Sequence, residues 1–334
     1  MVPQQKISDT DAVKASATGD SLPRTGRNTE LALLSEEARS ELNNLAKSVP
    51  SSVTMLQSMQ RDLGLVVAVT LAKSWVPDLT AREVDVVVAI PDGRWGIDQL
   101  REDVLDALRT LPISRRVVVI DRVDEMDRNA ADTLLKAIEE PGESTVFILV
   151  GTSADMLNPT IRGRIVKTLT LLPATSEARE KLFVEAGYSD TLAHQAVEVA
   201  GEHVVLANLL VENPELLEAA KSLRATVQTS SVKPVTAAAE AAEEIERLAG
   251  PLGKHLGGGD RGTRAAKREL VEQHISLLRR EGLDALANGV EPDRVGELFV
   301  ACDEAKERIL THAPLTINLA ALHISHAALK PIRV

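Results

Sequence analysis

Leu31, Leu33, Leu34, Ala38, Leu42 and Leu45 recur at spacings near three and four, which predicts a helix that Ser35 is placed to cap. Pro50-Ser51-Ser52 breaks it, and Val53 to Leu56 form a short candidate strand. Leu65 to Ser74 (LVVAVTLAKS) is apolar nearly throughout, so periodicity alone leaves it between strand and helix. Val84 to Ile90 and Val117 to Ile120 are β-branched runs and predict strands buried on both faces. Thr145 to Val150 repeats that pattern, and Val166 to Leu171 predicts a last short strand. Between these runs, Gly96 to Leu108 places Ile97, Leu100, Val104, Leu105 and Leu108 on one side of a helix. Asn129 to Glu140 predicts another helix, stopped by Pro141-Gly142, and Leu157 to Ile161 opens a helical turn.

Strands alternating with helices imply βαβ units and a mostly parallel sheet covered on both faces, here over residues 30–172. No strand pattern follows Ser176. Residues 176–224 read as a small helical domain and 261–330 as a second helical region. Between them, 228–260 mixes Ser, Ala, Glu and Gly, and Lys254 to Asp260 (KHLGGGD) marks a flexible joint. Residues 1–28 are polar with little periodicity and read as a disordered tail.

Composition narrows the function classes. Aromatic residues make up only 2% of the 334, so the 44% hydrophobic content must build cores from Ala, Val, Leu and Ile. Cys302 is the single cysteine, which excludes a disulfide scaffold and a cysteine-based zinc site. No apolar run reaches the roughly 18–20 residues of a membrane span, and no signal peptide opens the chain, so a cytoplasmic setting with no membrane partner is expected. The net charge of −11 argues against a protein that coats DNA generally.

The most informative stretch is Arg115 to Arg164. An apolar strand ends in Asp121, at the sheet edge where α/β proteins bind ligands. A helix with Leu134-Leu135-Lys136 and Glu139-Glu140-Pro141 follows, then the strand residues Phe147-Ile148-Leu149 leading to Gly151-Thr152-Ser153. Pro159-Thr160-Ile161 and Gly163-Arg164-Ile165 close the set. In this order and spacing the segments resemble the clamp-loader branch of the AAA+ family. Gly96, Ile97, Asp98, Arg101 and Glu102 resemble its GIDxxRE helix. Ala301 to Leu329, with Asn318, Leu319, Ala321 and Leu322, resembles its C-terminal collar.

That resemblance implies an α/β fold: an AAA+ parallel-sheet core with a helical lid, followed by an all-α collar domain. The implied boundaries are 29–173, 174–227 and 228–334 after the tail at 1–28. It also settles 65–74 as helix. Active members hold phosphate on a loop of pattern G-x-x-x-x-G-K-S/T, whose backbone N–H groups and lysine grip the anion. No Gly-Lys-Ser/Thr occurs in this chain. Ser58 to Leu65 (SMQRDLGL) aligns with the loop and puts Gly64 at the lysine position and Leu65 at the metal-holding hydroxyl. Where active members carry Asp-Glu, this chain has Asp121-Arg122, and arginine cannot serve as a base. Asp124 falls two residues too late.

Ser58, Leu63, Gly64, Leu65, Asp121, Arg122 and Thr152 therefore mark a degenerate nucleotide site, with no cofactor expected on this chain. The family's nucleotide-sensing lid arginine is not evident near Gly201 to Leu210, and its cysteine quartet is missing. The family's trans-acting arginine aligns with Arg164, with Arg162 as a substitute. It would reach ATP and Mg held by a neighbouring subunit.

A lost nucleotide site beside a kept arginine resembles the delta-prime type of that family. The type implies partners: ATP-binding gamma/tau-type and delta-type subunits, the sliding clamp, and primed DNA through the complex. The alternatives are a divergent AAA+ ATPase and a degenerate AAA+ scaffold outside the replisome. Three further features are expected to be structural. Arg261 to Arg280 reads as a solvated basic helix with Glu269 and Glu272 as partners, rather than one presenting Arg264, Lys267, Arg268 and Arg279 to phosphate. His323 and His326, with His312 upstream, read as packed, and Cys302 as a small core residue. Trp75 and Trp95 are expected at element ends.

Overall fold

Five parallel strands form the single sheet: β1 (Val53–Gln57), β2 (Val86–Ala89), β3 (Arg116–Ile120), β4 (Thr145–Gly151) and β5 (Ile165–Thr170), in the order β2-β3-β4-β1-β5. The computed structural model describes residues 32–50, 52–142, 144–256, 258–310 and 314–329; the tail read at 1–28, Leu31 and His312 lie outside them. The central strands are apolar without alternation because each face meets its own core. Val117, Val119, Val146, Ile148 and Val150 point to one side. Val118, Ile120, Phe147 and Leu149 point to the other.

The first face is covered by α1 (Glu36–Lys47), capped by Ser35, and α2 (Arg61–Trp75). The ambiguous run at 65–74 is thus helix, and its all-round hydrophobicity reflects burial of most of α2. Of the apolar positions assigned to the first helix, Leu33 and Leu34 precede it, and Leu34 bridges to Pro173. The second face carries α4, which runs Ile97–Leu100, passes through a π-helical turn at Arg101–Leu105 and ends at Asp106–Leu108, and α5 (Arg128–Glu139). Trp75 and Trp95 do sit at element ends, their indole N–H groups donating to Leu45 O at 3.2 Å and Asp121 O at 2.8 Å.

The strand expected over Val84 to Ile90 is shorter. Asp78 caps a helix, α3 (Leu79–Asp85), which absorbs Val84 and Asp85. The Asp85 carboxylate then accepts from the backbone N–H groups of Ile113 and Ser114, so β2 begins only at Val86.

After the short α6 (Pro159–Arg162) and β5, every described element is helical: α7 (Ser176–Glu185), α8 (Asp190–Ala200), α9 (Val204–Glu212), α10 (Leu217–Ser230), α11 (Pro234–His255), α12 (Gly259–Ala287), α13 (Pro292–Leu310) and α14 (Leu315–Ala327). The joint expected at Lys254 to Asp260 falls where α11 ends at His255 and α12 begins at Gly259, with Gly258 and Gly259 at positive φ. Before it, the mixed stretch is helical: Ala237, Ala238, Ala241, Ala242 and Ile245 bury one face of α11, a 22-residue helix. The two glycines flanking the turn serve proximity. A Cβ on Gly262 would lie 2.5 Å from Gly253 O, and one on Gly253 2.7 Å from Thr263 N, so α11 and α12 cross backbone to backbone.

Candidate functional site: a charged seam at the turn after the first strand

The turn after β1 is where a phosphate cradle would have to form. Here α2 begins at Arg61, inside the aligned segment. Four of the local N–H groups are spent on the chain itself. Ser58 N donates to Gly151 O, Gln60 N to Ser58 Oγ, Leu63 N to Asp62 Oδ1 and Gly64 N to Gln60 O. Gln60 closes the turn against the start of α9: its Nε2 donates to Glu202 O at 2.5 Å and its Oε1 accepts from Val204 N at 2.9 Å. At Gly64 a Cβ would lie 2.7 Å from Val150 Cγ1, so the lysine position has no room for a side chain as the helix stands. Leu65 is buried apolar core. An ATP–Mg group does not fit these residues.

Around that turn the structure gathers charges from distant segments. Arg61 faces Asp124 at 3.2 Å, Glu125 at 2.8 Å and Glu272 of α12 at 4.0 Å. Arg122 is buried in the left-handed region at φ 54°, a strained conformation for a non-glycine residue. Its guanidinium meets Asp121 and Glu125 at 3.5 Å, Glu272 at 3.3 Å and Glu269 at 3.9 Å. Burial works against its charge, but Glu272, Asp121, Glu125 and Glu269 outweigh this and hold its pKa above the usual value. Arg268 binds Glu125 at 2.6 Å and Glu272 at 3.1 Å, and donates to Gly93 O. A cleft of about 480 Å³ opens beside them, lined by Arg61, Trp95, Asp124, Glu125, Arg268 and Glu272.

Asp121 lies where active members keep their metal-binding acid, but burial pushes its carboxyl up to about 6, against the pull of Arg122 and Arg61. Asp124, dismissed on spacing, is the better-held acid. It accepts from Thr152 N at 2.8 Å and from the Thr152 hydroxyl, and its side chain is fully buried. Burial alone would raise its pKa; Arg61 and the Thr152 hydrogen bonds bring it below the ordinary value. Ser58, Asp121, Arg122 and Thr152 of the expected site thus sit near one another in the fold. Sequence reasoning missed Gln60, Arg61, Asp62 and His203, which no recognised motif marks.

The basic helix keeps Arg261 and Arg264 exposed, but its cations are paired with acids of other elements. Arg261 and Arg264 of α12 bind Asp103 and Asp92 of the sheet region at 2.7 and 2.6 Å, and Lys267 binds Glu246. Arg279 pairs with Asp303 and lies over the Phe299 ring at 5.6 Å. Glu269, one of its assigned partners, is buried. The helix thus spends its cations on acids of the sheet region, of α11 and of α13, and of its two expected partners Glu272 pairs with Arg268 at 3.1 Å. Arg164 behaves otherwise: its side chain is 54% exposed and pairs with Glu139 at the end of α5, while Arg162 faces Asp155 at 3.3 Å. In the C-terminal helices His323 is buried against His274, Nε2 to Nε2 at 2.9 Å, and His326 Nδ1 meets Ser230 Oγ. Burial depresses His274 to about 3 and His323 to about 4, so they pack as neutral rings. Cys302 is a buried free thiol.

Residues 39–174 match the family model described as "DNA polymerase III, delta subunit". The chain is 36% identical over 87 residues to the DNA polymerase III subunit delta' of Pseudomonas aeruginosa, a stretch covering 26% of each protein. It is 31% identical over 104 residues to subunit delta' of Bacillus subtilis, covering 31% of each. The matched stretches thus span between a quarter and a third of these relatives. Among solved structures, a DNA polymerase III gamma subunit-related protein of Thermotoga maritima aligns with 88% of this chain and 99% of its own, at 17% identity and a TM-score of 0.45. Among the described residues no helix is long and apolar enough to cross a membrane.

Proposed function

We propose that the chain, a parallel-sheet core followed by an all-helical region, is a subunit of the AAA+ clamp-loader family, in the DNA polymerase III delta-prime line, that does not hydrolyse ATP itself. One observation carries this reading: α2 starts inside the segment that should be a phosphate loop, with the N–H groups of Ser58, Gln60, Leu63 and Gly64 committed to the chain and Gly64 packed on Val150. The loop's lysine is gone and its set of backbone donors is depleted. Arg122 also stands where the base should be, and it is bound into a set of carboxylates.

The contribution to catalysis is then made in trans. Arg164 is surface-presented after α6, pairs with Glu139, and could add positive charge to phosphates carried by a neighbouring ATP-binding subunit of gamma/tau type. Helices at 174–227 would act as the lid and those at 228–334 as the collar that holds the subunits together. α10 runs through that boundary to Ser230. A delta-type subunit, the sliding clamp and primed DNA complete the assembly in this reading.

Two measurements test it. ATP titrated into the isolated chain should bind no more tightly than about millimolar. Arg164→Ala should leave the chain's own melting unchanged and lower the DNA-dependent ATPase of the reconstituted complex by about 10³-fold. Micromolar ATP binding would defeat the first half of the proposal, and an unchanged ATPase rate the second.

A further inference from the structure

The arginines of the seam do not neutralise all of its acids. Arg61, Arg122 and Arg268 are taken up by Asp121, Asp124, Glu125 and Glu272 at 2.6–3.5 Å. Two further carboxylates, Asp62 of α2 and Glu269 of α12, are 3% and 4% exposed. The only cationic atom recorded near Glu269 besides histidine is Arg122 Nη2, at 3.9 Å. Asp62 Oδ1 is engaged by Leu63 N, but Asp62 Oδ2 and Glu269 Oε2 are buried without a hydrogen-bond partner. Between them stands His203, at the start of α9, with Nδ1 3.8 Å from Asp62 Oδ2 and Nε2 3.9 Å from Glu269 Oε1. One donor atom from each of the three lies within 4.8 Å of the others.

Buried carboxylate oxygens without partners cost several kcal/mol each unless a cation or donor meets them. Two carboxylates and an imidazole are a donor set for a borderline divalent transition ion, which takes nitrogen and oxygen together at about 2.0–2.2 Å; magnesium and calcium prefer oxygen alone. We propose that Asp62, His203 and Glu269 bind one zinc-class divalent ion, which ties the lost phosphate-loop helix, the helices after the sheet and α12 to one another. The donors need to close by about an ångström, within reach of side-chain rotation. His203, whose side chain is 16% exposed, gives the ion its route in. Zinc bridging three distant segments would fix their orientation by coordination.

The test uses the full chain stripped by chelator and titrated with zinc chloride alone. One equivalent should bind and raise the melting temperature. His203→Gln and Glu269→Gln should each weaken binding by more than about 100-fold, since even outer-shell changes cost 10–100-fold. His194→Ala, which removes an exposed histidine beside Glu180 and Glu198, should leave binding intact. Cobalt substituted into the wild-type chain should show d–d bands of a low-coordinate nitrogen/oxygen site without thiolate charge transfer; this readout does not depend on any variant folding. No uptake, a six-coordinate cobalt spectrum, or binding that survives His203→Gln and disappears with His194→Ala would each overturn the proposal.

Discussion

Asp121 shows what burial does to a carboxyl at the end of a strand. Its carboxyl has been pulled into the protein, where desolvation lifts it from 3.8 to about 6, and one of its oxygens has no partner. Groups facing it are Arg122, Arg61 and Arg268, which stabilise the anion, and Glu125, which opposes it. Below about pH 4 the carboxyl is protonated both folded and unfolded, and it imposes no penalty. Between 4 and 6 the folded chain binds the proton more tightly than the unfolded chain, so stability falls as pH rises; above about 6 the loss is complete, at about 3 kcal/mol. Asp121→Asn removes this titration. Denaturant unfolding should show the variant stabilised by about 1–3 kcal/mol at pH 8 and by much less at pH 4.5. An equal gain at both pH values would mean that desolvation of the carboxylate is not the cause.

At the scale of elements, the crossing of α11 and α12 turns on two glycines that differ in kind from their neighbours. Gly262→Ala must drive a methyl group into Gly253 O and should cost about 1–3 kcal/mol. Gly296, in α13, has no non-neighbouring atom within 4 Å of its would-be Cβ, so Gly296→Ala should gain about 0.5–1 kcal/mol through helix propensity. Chemical denaturation of the pair checks both signs. The close-approach role of Gly253 and Gly262 was not legible, because glycine has the same letter whether it supplies freedom or closeness, and only the partner helix decides which. Strands β3 and β4 were legible because burial on two faces removes alternation from the sequence itself. Residues 84–85 were not, because Asp78 started a helix that competed successfully for them. The burial of Leu65 was legible from its apolar run, whereas the burial of Arg122 among carboxylates was not. Arg61, Asp62, His203 and the inward role of Glu269 and Glu272 were invisible, since they meet only when α2, the start of α9 and α12 come together.

For the molecule as a whole, the question is what makes the sheet region and the C-terminal helices one body. One hydrophobic cluster runs unbroken from Leu33 through α2 and the helices after the sheet to Leu329. The polar half of the same interface is the charged seam, and its members differ sharply in burial. Arg264 pairs with Asp92 with 41% of its side chain exposed, where solvent screens the pair and the chain entropy offsets it. Arg268 is 11% exposed at its side chain and joins α12 to Glu125 and Gly93 O of the sheet region. Truncating it leaves Glu125 and Glu272 sharing Arg61 and Arg122, an acid excess inside the protein. Arg268→Ala should therefore cost about 3–5 kcal/mol and Arg264→Ala less than about 1, although both delete one arginine from the same helix. Arg268→Met, which keeps the apolar stem, should recover only the packing part of the loss. Buried Trp95, whose indole donates to Asp121 O, reports on the seam by fluorescence during unfolding. In wild type its transition should coincide with that of helical circular dichroism. In Arg268→Ala the two should separate, because the helices then have only the apolar contacts to hold them to the sheet. Equal costs for the two arginines, or coincident transitions in both variants, would show that the apolar cluster alone makes the chain a single body.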